Sequence, residues 1–454
     1  LLLVGDFIVG QIALLAALYF WASKDELLHF SWEFLSNRPQ AWFFLLPFIW
    51  MILLVELYDE RRAASWKHTF RTVATAALFG LGMYLILYFF YTTPKSLPRR
   101  GVAAFILSVS ILTLLWRWAY IHIFTAKQFL RRVLLVGGGE TGQRLLQISR
   151  QIQPPPFQWV GIIDDDPEKI NTEIEGQMTF GGSDKLLEVV ASECVSDIIV
   201  AISGEMQGSM FQALLDAQEK GVDIIRMPVA YEELLGRVPV RHLEADWILR
   251  SFVDEARVNG FYELGKRLFD ILISLIGLAI LVIVLPFISI AILLDSGGPI
   301  FYTQTRCGRG AVQYRIIKFR TMSKNAELDG RPQWAEENDK RATRVGIFLR
   351  KTHMDELPQF INVLRGDMCI VGPRAERPEL VDWFQQHVPF YRARLLVKPG
   401  ITGWAQINFG YASTIDETMT KMEYDLYYIK HRSLLLDFVI LLRTPATMWG
   451  LAGR

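Results

Sequence analysis

Four apolar stretches occupy the first 124 residues, at 1–22, 41–57, 72–92 and 102–124. Each comes close to the ~20 residues with which an α-helix crosses the hydrocarbon core of a bilayer. Short polar loops join them, and that succession argues for a membrane bundle over the buried helices of a soluble one. Trp42, Trp50, Trp116, Trp118 and Tyr120 stand near the stretch ends, where aromatic rings settle at headgroup level. The composition agrees, because 51% of the chain is hydrophobic and 13% aromatic, high for a purely soluble domain. Arg61, Arg62, Lys67 and Arg71 in one loop, and Lys127, Arg131 and Arg132 after the fourth stretch, would face the cytoplasm under the positive-inside rule. Lys95, Arg99 and Arg100 lie in the loop this leaves outside, so the rule is obeyed only weakly. The chain opens with Leu1 in mid-helix, which points to residues ahead of it. Its first stretch lacks a small-residue cleavage site and is read as a span, not a signal peptide.

A fifth apolar run, 271–294, holds no charge and is also long enough to span. Pro286 interrupts it, removing a backbone hydrogen bond and bending a helix. Lys266 and Arg267 precede it, and Arg306, Arg309, Arg315, Lys318 and Arg320 follow it. A crossing would put one of these basic flanks outside, whereas a helix that enters and turns back keeps both inside. The expectation is a re-entrant helix over about 268–294.

Between the membrane stretches and this run the pattern changes. Apolar runs at 133–136, 159–163, 197–202 and 222–226 alternate with helical stretches, which predicts a parallel, doubly wound sheet. Gly137, Gly139 and Gly142 follow the first run in the spacing that lets a backbone approach a pyrophosphate at a helix N-terminus. Asp164 to Asp166 stand about 22–24 residues past the last glycine, where an acid can take a ribose hydroxyl. A NAD-like nucleotide is one reading of this turn, and a Rossmann-like domain that binds nothing or has a regulatory role is the other. The expected layout is a four-span region over 1–126, a Rossmann-like domain over 127–240, a linker over 241–259 that holds Trp247 and follows Pro239, and a C-terminal domain over 260–454.

Lys plus Arg (48) nearly balances Asp plus Glu (47), so net charge points to no partner, and no nucleic acid is expected. Cys194, Cys307 and Cys369 are scattered, without metal-ligand spacing, and read as free thiols in a reducing compartment. Tyr262 and Lys266 match the spacing of the short-chain dehydrogenase pair. With the glycine turn they suggest a membrane-anchored, NAD-dependent sugar-nucleotide dehydratase or epimerase as an alternative. The pair abuts the apolar run, so Lys266 and Arg267 are instead expected to snorkel to lipid headgroups.

The C-terminal region is denser in chemical signals. Asp355 and Glu356 stand just before Pro358, which is tolerated only in the first turn of a helix, so a helix over 357–364 should start near Asp355. Taken alone, two acids there read as capping and dipole compensation. Lys318, Arg320, Arg350 and Arg374, each in a short segment rich in Gly, Pro or Thr, change that reading. Phosphoryl chemistry needs cations for phosphate oxygens, a carboxylate for a divalent metal and a nucleophile for phosphorus.

The strings 318–322 (KFRTM), 355–359 (DELPQ), 362–374 (NVLRGDMCIVGPR) and 398–406 (KPGITGWAQ) resemble the bacterial sugar transferase family. These are monotopic polyprenyl-phosphate sugar-1-phosphate transferases, and the resemblance runs from about Lys266 to the C-terminus. The layout is similar to the family's long members, a membrane protein with a transmembrane helix bundle, a Rossmann-like α/β domain and a mainly α-helical catalytic domain. The resemblance implies transfer of a hexose-1-phosphate, glucose or galactose, from a UDP-sugar to undecaprenyl phosphate with release of UMP. That would be the first membrane step of exopolysaccharide, O-antigen or capsule synthesis, at the cytoplasmic face of the inner membrane. It implies Asp355 as nucleophile and Glu356 as the Mg²⁺ ligand. It further implies that Lys318, Arg320, Arg350 and Arg374 contact phosphates or nucleotide, and that Asp425 is another acid of the site. A homodimer is compatible with the long form. This chain departs from the family at Leu285 before Pro286, where Ser is frequent, at Cys369 for Ser, and at Ala375 for Pro. His353 and Met354 stand where smaller or aliphatic residues are frequent.

Overall fold

The computed structural model describes all residues except 24, 26, 59–62, 64, 91–97, 125–129, 153–154, 241–259, 323–340, 411–413 and 449–454. The charges at Arg61, Arg62, Lys95 and Lys127 and the 241–259 linker therefore lie outside the described residues. The chain forms two compact units, Leu1–Met227 and Pro228–Arg454.

The first unit opens with α1 (Leu2–Ala22), α2 (Trp32–Asn37), α3 (Leu46–Leu53), α4 (Trp66–Phe90) and α5 (Arg99–Phe124). Among the described residues, Leu2–Ala22, Arg99–Ile123 and, in the second unit, Gly260–Ser296 are long and apolar enough to cross a membrane. The second expected stretch is not one helix. Ala41–Leu45 winds as a 3-10 turn and α3 starts afresh with Pro47 in its first turn. At 1.5 Å per residue, α3 rises only about 12 Å, short of the ~30 Å hydrocarbon core. Small residues let α1 and α5 approach, with Ala13 and Ala17 fully buried. Deep between them Arg117 Nη2 meets Asp6 Oδ2 at 2.5 Å, both side chains fully buried. Charges inside apolar segments survive where each finds a partner.

The α/β part follows with β1 (Arg132–Val136), α6 (Glu140–Gln151), β2 (Gln158–Ile163), β3 (Glu173–Ile174), β4 (Gln177–Gly181), α7 (Leu186–Ser192), β5 (Asp197–Val200), α8 (Gly208–Glu219) and β6 (Asp223–Arg226). The sheet order is β3-β4-β2-β1-β5-β6, parallel apart from the β3–β4 hairpin. The near-continuous apolar strands are those of a sheet covered on both faces, with Leu134, Val136, Ile163 and Ile198 in the core. Gly137 has φ +102, and a Cβ on Gly142 would collide with the Gly137 carbonyl. These are the two positions of the turn where a side chain is excluded.

The second unit holds α9 (Met227–Leu235) from Pro228 on, α10 (Gly260–Ser296), β7 (Phe301–Cys307), β8 (Gln313–Phe319), α11 (Arg344–Lys351), α12 (Gln359–Arg365), β9 (Cys369–Val371), α13 (Pro378–His387), β10 (Gly400–Thr402), α14 (Trp404–Asn408), α15 (Ile415–Lys430) and α16 (Leu434–Met448). β7 and β8 form an antiparallel hairpin, and β9 pairs with β10 in parallel. Residues 228–240, expected in the α/β domain, pack here. Glu232 meets Lys430 at 3.1 Å and His431 at 2.9 Å, and Trp404 Nε1 donates to the Gly236 carbonyl.

α10 is continuous through Pro286, 37 residues and roughly 55 Å at 1.5 Å per residue. Its first half does not snorkel as expected. Lys266 Nζ donates to Asp437 Oδ2 (2.9 Å) and to the Val371 carbonyl (3.0 Å), and Arg267 caps the carbonyls of Val363 and Leu364 at the end of α12. Buried acceptors outcompete a distant headgroup because an ammonium taken from water must be matched at once. Further along, Asp270 accepts the Ile370 N–H, Leu281, Ile288 and Ile292 pack on Phe319 and Leu349, and Asp295 accepts the Val345 N–H. The opposite face, with Leu272, Leu275, Ile283, Phe287 and Leu294, is exposed.

Candidate active site

The centre of the site is built on a break between two helices. Thr343 caps α11 by accepting the Gly346 N–H, and the helix ends at Lys351, two residues before His353, whose φ of +54 turns the chain. A 3-10 turn, Met354–Glu356, comes next, and Pro358 then starts α12 at Gln359. The helix expected over 357–364 thus starts two residues later, since Pro358 can begin a helix but cannot sit inside one. Gly366, with φ +91, closes α12. His353 is exposed and its role is in the backbone turn.

Asn362 ties α12 to β8. It is fully buried, its Oδ1 accepts the Ile317 N–H (3.0 Å) and its Nδ2 donates to the Arg315 carbonyl (2.8 Å). A side-chain amide here replaces the strand partner that β8 lacks on that edge. This register brings Lys318, near the end of β8, to Glu356. Lys318 Nζ donates to Glu356 Oε1 at 2.6 Å and Arg374 Nη2 donates to the same oxygen at 3.0 Å. Arg374 follows β9 across Gly372 and Pro373, and a Cβ on Gly400 would strike the Gly372 amide, so this close approach needs glycine.

Asp355 has a different environment. Its residue is 9% exposed, and among the described residues its carboxylate accepts no hydrogen bond. Burial, and then the neighbouring Glu356 carboxylate, push its carboxyl above the usual range. Burial also acts on Glu356, but the Lys318 and Arg374 charges outweigh it and hold that carboxyl well below the usual range. Two adjacent carboxyls thus have opposite proton affinities, the condition under which paired acids take separate roles.

The other expected residues are distributed around this core. Arg320 is buried, with Nε on the Met322 carbonyl and Nη1 on the Gly298 carbonyl. Its Nη2 finds no partner among the described residues. Arg350 Nε donates to Thr321 Oγ1 at 3.1 Å, which places it beside Arg320 along the chain. Asp425, 2% exposed, pairs with Arg394 at 2.9 Å. The structure therefore brings Lys318, Glu356 and Arg374 into direct contact, keeps Asp355 beside them, and holds Asp425 through Arg394. The sequence reading missed Asn362, Glu376, Arg394 and Asp437. Of these only Asp437, a lone acid in an apolar run, carried a signal, since such a charge needs a buried partner.

Magnesium is usually held by one or two carboxylates together with substrate phosphates. Glu356 fits that demand, because both of its ion pairs use Oε1 and Oε2 accepts none among the described residues. No group of three or more His, Cys, Asp or Glu gathers among those residues to make a cage instead.

The glycine turn fits a dinucleotide less well. Asp164 Oδ2 accepts the Gly138 N–H (2.7 Å) and Lys169 Nζ (3.2 Å), so the acid expected on a ribose already serves the turn. Glu140 adds a carboxylate in the first turn of α6, where Gly139 is the cap and Gly142 packs on Gly137. Two carboxylates at this end repel a diphosphate. Tyr262 and Lys266 converge on Asp437, in the second unit, so the dehydrogenase-like spacing reflects an ion-pair cluster.

A family model described as bacterial sugar transferase matches residues 261–450, which take in the acid pair and all four cations, and one described as a CoA-binding domain matches residues 54–228. The UDP-N-acetylgalactosamine-undecaprenyl-phosphate N-acetylgalactosaminephosphotransferase of Aeromonas hydrophila is 43% identical over 217 residues, covering 48% of this chain and 50% of that one. The chain thus spans about half the length of that relative. A UDP-glucose:undecaprenyl-phosphate glucose-1-phosphate transferase of Klebsiella pneumoniae is 30% identical over 316 residues, covering 69% of this chain and 67% of that one. The protein of the same description from Xanthomonas campestris pv. campestris is 29% identical over 346 residues, with 72% and 69% covered.

Proposed function

Because the chain belongs to the bacterial sugar transferase family, we propose that it moves a hexose-1-phosphate from a UDP-sugar to undecaprenyl phosphate and releases UMP. The observation that carries this reading is the division of labour in the acid pair. Glu356 is clasped by Lys318 and Arg374, while Asp355, next to it, is buried and accepts no hydrogen bond among the described residues. A carboxylate without hydrogen-bond partners is poorly stabilised and hence a good nucleophile.

In the first step an Asp355 oxygen attacks the β-phosphorus of the UDP-sugar. The bond from that phosphorus to the bridging oxygen breaks, UMP leaves, and the sugar phosphate is left on Asp355. In the second step a phosphate oxygen of undecaprenyl phosphate attacks the same phosphorus, the bond to Asp355 breaks, and the carboxylate is restored. Lys318 and Arg374 neutralise the diphosphate oxygens, and Arg320 and Arg350 add positive charge around the nucleotide. Glu356 would hold a magnesium ion, which would supply further neutralisation of the diphosphate. Relatives named for glucose and for N-acetylgalactosamine make both sugars, with galactose, the donors to try.

The assay is UMP release from detergent-solubilised protein with a UDP-hexose, undecaprenyl phosphate and Mg²⁺. Silence with every one of these donors would sink the reading. Its pH dependence is a second check. Asp355 must be ionised to attack, and its carboxyl is held above the usual range. The acid limb of kcat/KM should therefore fall above the ~3.9 of a free Asp. A limb at or below that value would show that another group controls the step.

We further propose that α10 is re-entrant at the cytoplasmic face of the inner membrane. Both its early residues, such as Lys266 and Asp270, and its late ones, such as Ile292 and Asp295, bond or pack within one compact unit, which supports a return to one side. Cys307 is buried and is a poor reporter. Single cysteines at exposed Gly260 and Val312, in a Cys194→Ser background, should both label from the cytoplasm only. Labelling from opposite sides would establish a crossing.

A further inference from the structure

Arg374 reaches Glu356 from a main chain that is itself held at three consecutive carbonyls. Arg394 Nη2 donates to the Arg374 carbonyl (3.0 Å), Arg306 Nη1 to the Ala375 carbonyl (3.0 Å), and the Cys307 N–H to the Glu376 carbonyl (2.9 Å). Such a run of caps in an irregular segment leaves its backbone little freedom. The Arg394 side chain is 4% exposed, and both terminal nitrogens are taken by protein acceptors. Nη2 serves Asp425 at 2.9 Å as well as the Arg374 carbonyl, while Nη1 meets the Tyr391 hydroxyl at 2.5 Å and lies 3.7 Å from Glu376 Oε1. Glu376 also receives Lys421 (3.3 Å) and Arg306 (3.8 Å), so the two arginines that hold the 374–375 carbonyls are braced by one carboxylate. Burial opposes that carboxylate, yet the surrounding cations hold its carboxyl down to about 2.

We infer that Asp425 and Arg394 form a positioning pair, in which Asp425 orients Arg394 and Arg394 fixes the main chain from which Arg374 meets the donor diphosphate. Asp425, 2% exposed, has no face for a ligand, so it acts through Arg394 and not on substrate. The guanidinium suits this place because Nη2 reaches the Asp425 carboxylate and the Arg374 carbonyl while Nη1 reaches the Tyr391 hydroxyl, contacts on two fixed nitrogens that the single nitrogen of a lysine cannot reproduce. The inference rests on the transferase reading, in which Arg374 binds phosphate.

A double-mutant cycle tests it. Asp425→Asn, which keeps the shape, and Arg394→Lys, which keeps the charge, are each placed in the wild type and in Arg374→Ala. Misplacing a phosphate-binding group by about 1 Å can cost on the order of 100-fold, so each variant should lower kcat about 10- to 100-fold in the wild type. In the Arg374→Ala background the same change should cost less than about threefold, because the group being positioned is gone. Equal losses in both backgrounds overturn the inference. Hydrogen exchange over residues 372–376 gives a readout independent of turnover: it should speed up in Asp425→Asn, and unchanged exchange also counts against the pair. If Arg394→Lys unfolds, Asp425→Asn decides. If Asp425→Asn unfolds as well, the pair is scaffold for the whole unit and the inference fails. A wild type that releases no UMP overturns the transferase reading instead, and the exchange experiment still reports on the pair.

Discussion

Asp355→Asn should cut UMP release by roughly three to four orders of magnitude and yet raise the thermal stability of the protein at neutral pH. The loss of activity follows from removing the attacking oxygen, since the amide cannot displace UMP. The gain in stability follows from where Asp355 sits. Burial first, and the Glu356 carboxylate second, raise its carboxyl above the usual range. A group whose folded pKa lies above the unfolded one stabilises the fold at low pH, and that contribution is lost as pH rises through the folded value. At pH 7 to 8 the ionised carboxylate therefore opposes folding, and neutral Asn removes the opposition. The difference in unfolding temperature between Asp355→Asn and wild type should be positive at pH 8 and shrink towards zero on acidification. Glu356→Gln should behave in the opposite sense. Lys318 and Arg374 depress that carboxyl, so its contribution is present above the unfolded value and is lost as pH falls. Gln leaves both cations without their shared anion, lowering stability and activity together. A destabilised Asp355→Asn, or one that keeps a tenth of its activity, would refute the division of roles in the acid pair.

Asp437→Ala should be the most damaging substitution to the fold of the catalytic unit. Asp437 is fully buried in α16 and accepts three hydrogen bonds, from Lys266 Nζ (2.9 Å), Tyr262 Oη (3.2 Å) and Tyr428 Oη (2.7 Å). Removing one partner of a buried pair strands the other charge, at a cost of about 3–5 kcal/mol. Replacing the pair together, as Lys266→Met with Asp437→Leu, should cost much less than Asp437→Ala, because no unpaired charge remains and methylene groups fill the space. Unfolding temperatures and protease resistance in detergent measure both. The consequence reaches the chemistry. Lys266 donates to the Val371 carbonyl, and Asp270 accepts the Ile370 N–H, so the foot of the membrane helix holds the strand that leads into Arg374. Activity of Asp437→Ala should therefore fall at temperatures where the unit is still folded. A variant as stable as wild type would mean that the cluster is solvated in the membrane.

Much of the organisation is legible in linear order. Apolar stretches of bilayer length, an alternation of short apolar runs with helices, and a Pro two residues past an acid pair are all local patterns. Each maps onto a local element because its physical cause lies within a few residues. The second apolar stretch shows the limit. Its hydropathy suits a span, but Pro47 restarts the helix, and length in residues does not become length in ångströms.

The sequence by itself determined that membrane helices, a parallel sheet and an acid pair among cations share one chain. Periodicity and composition need no partner to be read. Only the tertiary structure decided what each charge does. Lys266, at the edge of an apolar run, could serve headgroups as well as a buried acid. Asp425 could face a substrate as well as an arginine, and Asp355 and Glu356 are alike as letters. The choice was made by residues 18 to 171 positions away, Arg374 and Lys318 for Glu356, Arg394 for Asp425 and Asp437 for Lys266. Burial makes an unmatched charge costly, so the packing that brings those partners in also sets which acid is paired with cations and which carboxyl is pushed above the usual range.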